Sequence, residues 1–222
     1  MKKLFTLIGT VLLTAGVNAQ TTLKVESFRM GIGEQKTVTL NLDNSDFTDA
    51  AAFCCDIVLP EGVEIEANED GTYKFSVSDK DGRSTSSESL IVASALQSDG
   101  AVRVICFPQD ASAFAGTSGA ILNIPLVASK DLTKGTVEVS IASQEITNTT
   151  GLSTIKPDNS TADLTLFLHG DVNDDGGVDG ADIQEVINAI LSGEYTEYAD
   201  VNNDQFVDGA DIQEVINVIL GN

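Results

Sequence analysis

Asp171, Asn173, Asp175, Asp179 and Asp182 place side-chain oxygens at positions 1, 3, 5, 9 and 12 of a twelve-residue stretch. The main-chain carbonyl of Gly177 falls at position 7. Asp200, Asn202, Asp204, Asp208 and Asp211, with the carbonyl of Phe206, repeat the arrangement 29 residues later. Oxygen donors on alternate residues of a curled loop suit calcium, a hard ion that takes about six to eight oxygens and completes its shell with water. A chance acidic turn would not occur twice in full. Residues 171–191 (DVNDDGGVDGADIQEVINAIL) and 200–220 (DVNNDQFVDGADIQEVINVIL) differ at only four positions. Gly176 stands at position 6, where such a loop turns sharply with positive φ. Gln205 occupies that position in the second copy, and a residue with a Cβ strains the turn. The second site is therefore expected to bind calcium more weakly.

Each loop runs directly into a helix. Ile183, Val186, Ile187, Ile190 and Leu191 follow the spacing of one helical face, repeated by Ile212, Val215, Ile216, Ile219 and Leu220, and all ten are expected to be buried. Gly193 and Gly221 supply stops. Val178 and Val207, at position 8, are apolar as expected where two loops pair back to back. Two features depart from an ordinary EF-hand. Position 12 is aspartate rather than the longer glutamate, and the residues before the first loop, DLTLFL, read as strand, so no helix enters it. Two short helices bury little surface, and metal binding is expected to supply much of the folding free energy.

A duplicated half EF-hand with aspartate at position 12 and an eight-residue spacer resembles a type I dockerin, over residues 170–222. The resemblance implies two calcium ions and docking through a helix face onto a cohesin β-sandwich. It places the partner-selecting residues at Gly180, Ala181, Ile187 and Asn188 in the first copy. In the second they are Gly209, Ala210, Ile216 and Asn217. The two sets are identical, so either copy could present the surface, in two docking orientations. Gly-Ala stands where cellulosomal dockerins commonly carry a hydroxyl pair, which implies a more apolar partner surface.

Residues 22–168 read differently. β-branched residues, alternating segments and turn clusters predict strands near 22–28, 36–42, 52–59, 73–78, 88–96, 101–107, 120–128, 135–142 and 163–168. In TVTLNL, Val38, Leu40 and Leu42 face inward. About nine short strands predict a mostly β fold, a jelly-roll type β-sandwich, followed by the small α-helical domain of two calcium loop-helix repeats. The order GIGEQKTVTLNLDNS, FCCDIVLPEGVEI, LQSDGAVRVICF and GTSGAILNIPLVAS resembles bacterial cohesin domains and the cohesin-like sandwiches of secreted bacterial proteins. One strand ends LPEGV where cellulosomal cohesins carry a YDP-like ending, so partner specificity does not carry across. The chain has no tryptophan and three tyrosines, so the aromatic platform of many sugar-binding sandwiches is not evident. No nucleophile elbow is present, and Glu61, Glu64 and Asp79 read as solvated loop acids rather than a hydrolytic pair.

The opening MKKLFTLIGTVLLTAGVNA has the charged start, apolar run and small-residue end of a bacterial secretory signal over residues 1–19. The domain reading is thus 1–19 signal, 20–168 sandwich and 169–222 calcium unit. Loss of Lys2 and Lys3 with the signal takes the formal charge from −22 to −24. Such a chain repels nucleic acid and anionic lipid, and no segment is long enough to span a membrane. After Lys156 there is no Lys or Arg, while residues 169–222 hold thirteen acids, a density that calls for a cation. Three cysteines exclude a fully paired framework. Cys55 reads as a small core residue, and the spacing leaves open a bridge from Cys54 or Cys55 to Cys106. His169 reads as a boundary residue.

These features point to a secreted, non-catalytic assembly or adhesion protein, extracellular or on a bacterial surface. Its calcium-loaded C-terminal unit would dock onto a cohesin-like sandwich on another chain or another copy. The alternative is a glycan-binding module that a dockerin delivers to an extracellular polysaccharide-degrading complex.

Overall fold

The computed structural model describes residues 21–83 and 90–221. The secretory signal expected at 1–19 and the start of the strand expected at 88–96 lie outside them. Among the described residues twelve strands form two sheets. The first sheet orders β1 (Thr22–Lys24), β3 (Gln35–Asp43), β9 (Ser118–Ala128) and β5 (Val63–Ile65), with β6 (Ser76–Val77) also on β9. The second orders β2 (Phe28–Gly31), β12 (Ser160–Phe167), β10 (Gly135–Asn148), β4 (Ala50–Val58), β8 (Val102–Pro108) and β7 (Leu90–Leu96), with β11 (Thr154–Ile155) on β10. All pairings are antiparallel except β2 with β12.

Alternation along the strands builds the core between the sheets. Val38, Leu40 and Leu42 of β3 are buried, as are Phe53, Cys55 and Ile57 of β4, Val104 and Cys106 of β8, and Leu122, Ile124 and Leu126 of β9. All three cysteines are free. Cys55 and Cys106 serve as small apolar residues, and burial pushes the Cys106 thiol up to about 12.

Three differences from the expected strands have physical causes. The segment expected as one strand over 22–28 is two strands in different sheets, because the chain passes from one sheet to the other at Val25–Ser27, where Glu26 and Ser27 are exposed. Period-two alternation does not register a change of sheet. The strand expected at 73–78 shortens to β6, with Tyr73 making only a single bridge to Ala67. β10 runs on past residue 142 to Asn148 through a bulge between Ala142 and Glu145, where Ser143 has φ 50°. Gln144 is buried there. Its Oε1 accepts from the Leu23 N–H at 2.7 Å, and its Nε2 donates to the Leu23 and Ile141 carbonyls at 3.0 and 3.1 Å. The bulge thus clips β1 to the opposite sheet.

On the outer face of the second sheet, Arg103 grips Asp56 with two bonds, Nε to Oδ1 at 2.7 Å and Nη2 to Oδ2 at 2.6 Å. The guanidinium holds the Asp56 carboxyl below the ordinary aspartate value of 3.8. A folded value below the unfolded one stabilises the protein above pH 3.8, and that contribution is lost as pH falls through the folded value. Asp56→Asn should therefore lower stability at neutral pH and flatten the acid limb of the stability curve. Denaturant melts across an acid series read both effects.

Candidate functional site

The C-terminal unit is two copies of loop and helix. Asp179 and Asp208 cap α1 (Gly180–Ser192) and α2 (Gly209–Leu220), each accepting the N–H of the residue two further on (Ala181 and Ala210) at 2.7 Å. Asp182 and Asp211 return the capping box from the third helical position. Both are fully buried. Asp182 Oδ1 accepts the N–H groups of Val172 and Asn173 at 2.7 and 3.1 Å, and its Oδ2 accepts that of Asp179 at 2.8 Å. Asp211 Oδ1 likewise accepts from Asn202 at 3.1 Å and its Oδ2 from Asp208 at 2.8 Å. The position-12 aspartate therefore ties the start of each loop to the start of each helix.

The loops curl through the same short bonds. Asn173 Oδ1 accepts the Asp175 N–H and Asp175 Oδ1 accepts the Gly177 N–H, both at 2.9 Å. In the second copy Asn202 and Asp204 do the same for Asp204 and Phe206, again at 2.9 Å. The Gly177 N–H and the Asn173 amide hold the Asp175 carboxyl below its ordinary range. Asp174 and Asn203 at position 4 have φ 59° and 57°, and Gly176 at position 6 has φ 90°. Gln205 is forced to φ 74° at that same position. A left-handed non-glycine residue there costs about 1 kcal/mol or more. Gln205→Gly is expected to tighten the second loop's calcium affinity several-fold in a calcium titration.

The donor set fits calcium on one further observation: Asp171 Oδ1, at position 1, is buried without a hydrogen-bond partner. A carboxylate oxygen stripped of water is costly unless a cation or donor meets it. Among the described residues no three acidic, histidine or cysteine side chains already converge on one point. Each set relies instead on an asparagine and a main-chain carbonyl, and the carboxylates' other oxygens hold backbone N–H groups. Asp171, Asn173, Asp175, Gly177, Asp179 and Asp182 line one loop; Asp200, Asn202, Asp204, Phe206, Asp208 and Asp211 line the other.

The helical faces depart from expectation. Val186 and Val215 are fully buried, together with Ala199 of the spacer and Val201 of the second loop, and Ile183, Ile190 and Ile212 pack partly against them. Leu191, Ile219 and Leu220 are instead 79%, 42% and 66% exposed. Two helices present only one shared seam, too narrow to cover ten apolar side chains. Val178 and Val207 join this small cluster, and among the described residues no ladder pairs the two loops. Of the expected partner-selecting residues, Gly180, Ala181, Asn188, Gly209 and Ala210 are exposed, while Ile187, Ile216 and Asn217 are half-buried.

Several contacts with the sandwich had no signal in the sequence. His169 lies between two carboxylates, Nδ1 2.7 Å from Glu34 Oε1 and Nε2 3.5 Å from Glu214 Oε1. The Glu34 hydrogen bond raises the His169 pKa above its ordinary value. The Arg29 guanidinium sits over Phe167 at 4.6 Å and over Tyr198 at 3.8 Å, beside Glu197 at 3.7 Å. His169 is thus a bolt between the two units rather than a bare boundary.

Comparison with known proteins fits this geometry. Residues 169–220 match the family model of the dockerin type I domain. The sandwich superposes on a chain of a type I cohesin–dockerin complex from Clostridium thermocellum, with TM-score 0.53 and 13% identity, covering 66% of this chain and 99% of that one. The chain pairs a dockerin with a cohesin-like sandwich. A cohesin from Clostridium acetobutylicum gives TM-score 0.50 at 15% identity, over 69% of this chain and 94% of that one. A non-cellulosomal cohesin from the archaeon Archaeoglobus fulgidus gives 0.50 at 12%, over 67% and 92%. At these identities the likeness of the sandwich is one of fold. No curated protein matches the chain. Type I dockerins are calcium-binding domains, in keeping with the loop chemistry above. Among the described residues no helix is long and apolar enough to cross a membrane.

Proposed function

We propose that this chain is a secreted, non-catalytic assembly protein. Its dockerin, loaded with two calcium ions held by the residues named above, docks onto a cohesin-like sandwich on another chain or on a second copy. The observation that carries this reading is the presence in one chain of a dockerin and a sandwich of cohesin fold. Both units also expose apolar side chains. Leu191, Phe206 and Leu220 are exposed on the dockerin, and Val58, Ile91 and Ile105 on the outer face of β4, β7 and β8. The sandwich keeps all of the mature chain's Lys and Arg, yet with ten cations against twenty-one acids it is net negative like the dockerin, so calcium in the loops must offset the charge repulsion between copies. Contacts between such unlike faces make open chains unless the geometry closes.

Sedimentation velocity of the full chain, with calcium and with a chelator, tests this over a wide range of concentration. Association that grows with concentration in calcium and vanishes in chelator is expected. A chain that stays monomeric in calcium rules out self-assembly and directs the search to foreign cohesins.

A further inference from the structure

The two calcium loops are nearly identical in sequence, yet their position-1 aspartates lean on different outer partners. In each, one carboxylate oxygen accepts the N–H of position 6: Asp171 Oδ2 from Gly176 and Asp200 Oδ2 from Gln205, both at 2.9 Å. In the second loop that oxygen also accepts the Tyr195 hydroxyl at 2.9 Å, a neutral donor from the dockerin's own spacer. In the first loop the corresponding place is taken by Lys134 of the sandwich, whose Nζ lies 3.4 Å from Asp171 Oδ2. The ammonium reaches further into the loop, donating to the Asp174 carbonyl at 2.8 Å and lying 3.2 Å from Asp174 Oδ1. Lys134 closes the turn between β9 and β10, which Leu132 anchors by packing on the sandwich core.

We infer that Lys134 is a competing cation at the first loop, so that calcium loading there and the loop's contact with its own sandwich oppose each other. The inference rests on the calcium reading of the loops. Two effects of the lysine have opposite signs. As an outer partner it orients Asp171, which strengthens binding; as a positive charge beside the site it repels the ion. The charge wins here. Gly176 already orients Asp171 through a better bond, 2.9 Å against 3.4 Å, so the lysine adds little positioning. Its repulsion, partly screened because the side chain is 37% exposed, is worth about three- to tenfold in affinity. By reciprocity, calcium in the first loop weakens the lysine's hold by the same factor. Among the described residues the second loop has no such link, since Tyr195 belongs to the dockerin.

Calcium titration calorimetry on the full chain tests this with four variants: Lys134→Met, Lys134→Arg, Gln205→Gly, and Lys134→Met combined with Gln205→Gly. Lys134→Met should tighten one site about three- to tenfold and leave the other as it was. Lys134→Arg should keep the wild-type affinity, because it keeps the charge. Gln205→Gly should tighten the other site, and the combined variant should show both gains additively. Unchanged or weaker binding in Lys134→Met overturns the inference while leaving the calcium reading intact. So does a tightening that falls on the same site as Gln205→Gly. A wild-type chain that binds no calcium overturns both together.

Discussion

Asp182→Ala should leave the dockerin without stable helices while the sandwich melts as before. Asp182 is fully buried and holds three backbone N–H groups, of Val172, Asn173 and Asp179, besides standing at position 12 of the loop. Each buried N–H left without a partner costs about 1–3 kcal/mol, and the Asp179 N–H lost among them is the return half of the capping box. The dockerin has little to set against this, since only Val186, Ala199, Val201 and Val215 make up its fully buried apolar cluster. The calcium contribution goes with the same carboxylate. Circular dichroism reads the outcome directly, because α1 and α2, of 13 and 12 residues, are the only α-helices among the described residues. Helical signal that persists in the variant, with calcium present, would show that packing alone holds the unit.

Phe53→Ala should destabilise the sandwich by about 3–5 kcal/mol. Phe53 is 2% exposed on β4, and its ring lies 5.9 Å from that of Phe114 at an interplanar angle of 44°. The substitution removes a large buried side chain and an aromatic pair between β4 and the loop after β8. Phe107→Ala is the matched control. Phe107 is a half-buried residue on the opposite face of β8, and its loss should cost clearly less. Urea melts of both variants, with calcium held constant, give the difference. Equal losses would mean that the core is not where the alternation of β4 and β8 places it.

The parts of this molecule that were legible in the sequence are those fixed by local spacing. The helix that follows each acidic segment, its glycine stop at Gly193 or Gly221, and the inward faces of β3 and β4 all follow from neighbours within a few residues. What the spacing missed depends on distant pairing. The sheet switch after β1 requires knowing that Leu23 and Met30 meet opposite ladders. Gln144 looks like a surface residue until Leu23, more than a hundred positions away, is seen to need its amide. Lys134, Arg29 and His169 carry no motif at all, because each acts across the junction on a partner brought near only by folding. The exposed ends of the helical stripe had a different cause. Periodicity marks which side chains share a face, but not how much of that face a neighbour covers.

The parallel seating of β2 beside β12 bears on how the molecule carries mechanical load. The dockerin leaves the sandwich directly after Phe167, the last residue of a strand held on one side by four pairings to β2 and on the other by seven to β10. Tension arriving through a bound dockerin along the direction of β12 loads both ladders in shear. Many hydrogen bonds must then give way together rather than peeling one at a time.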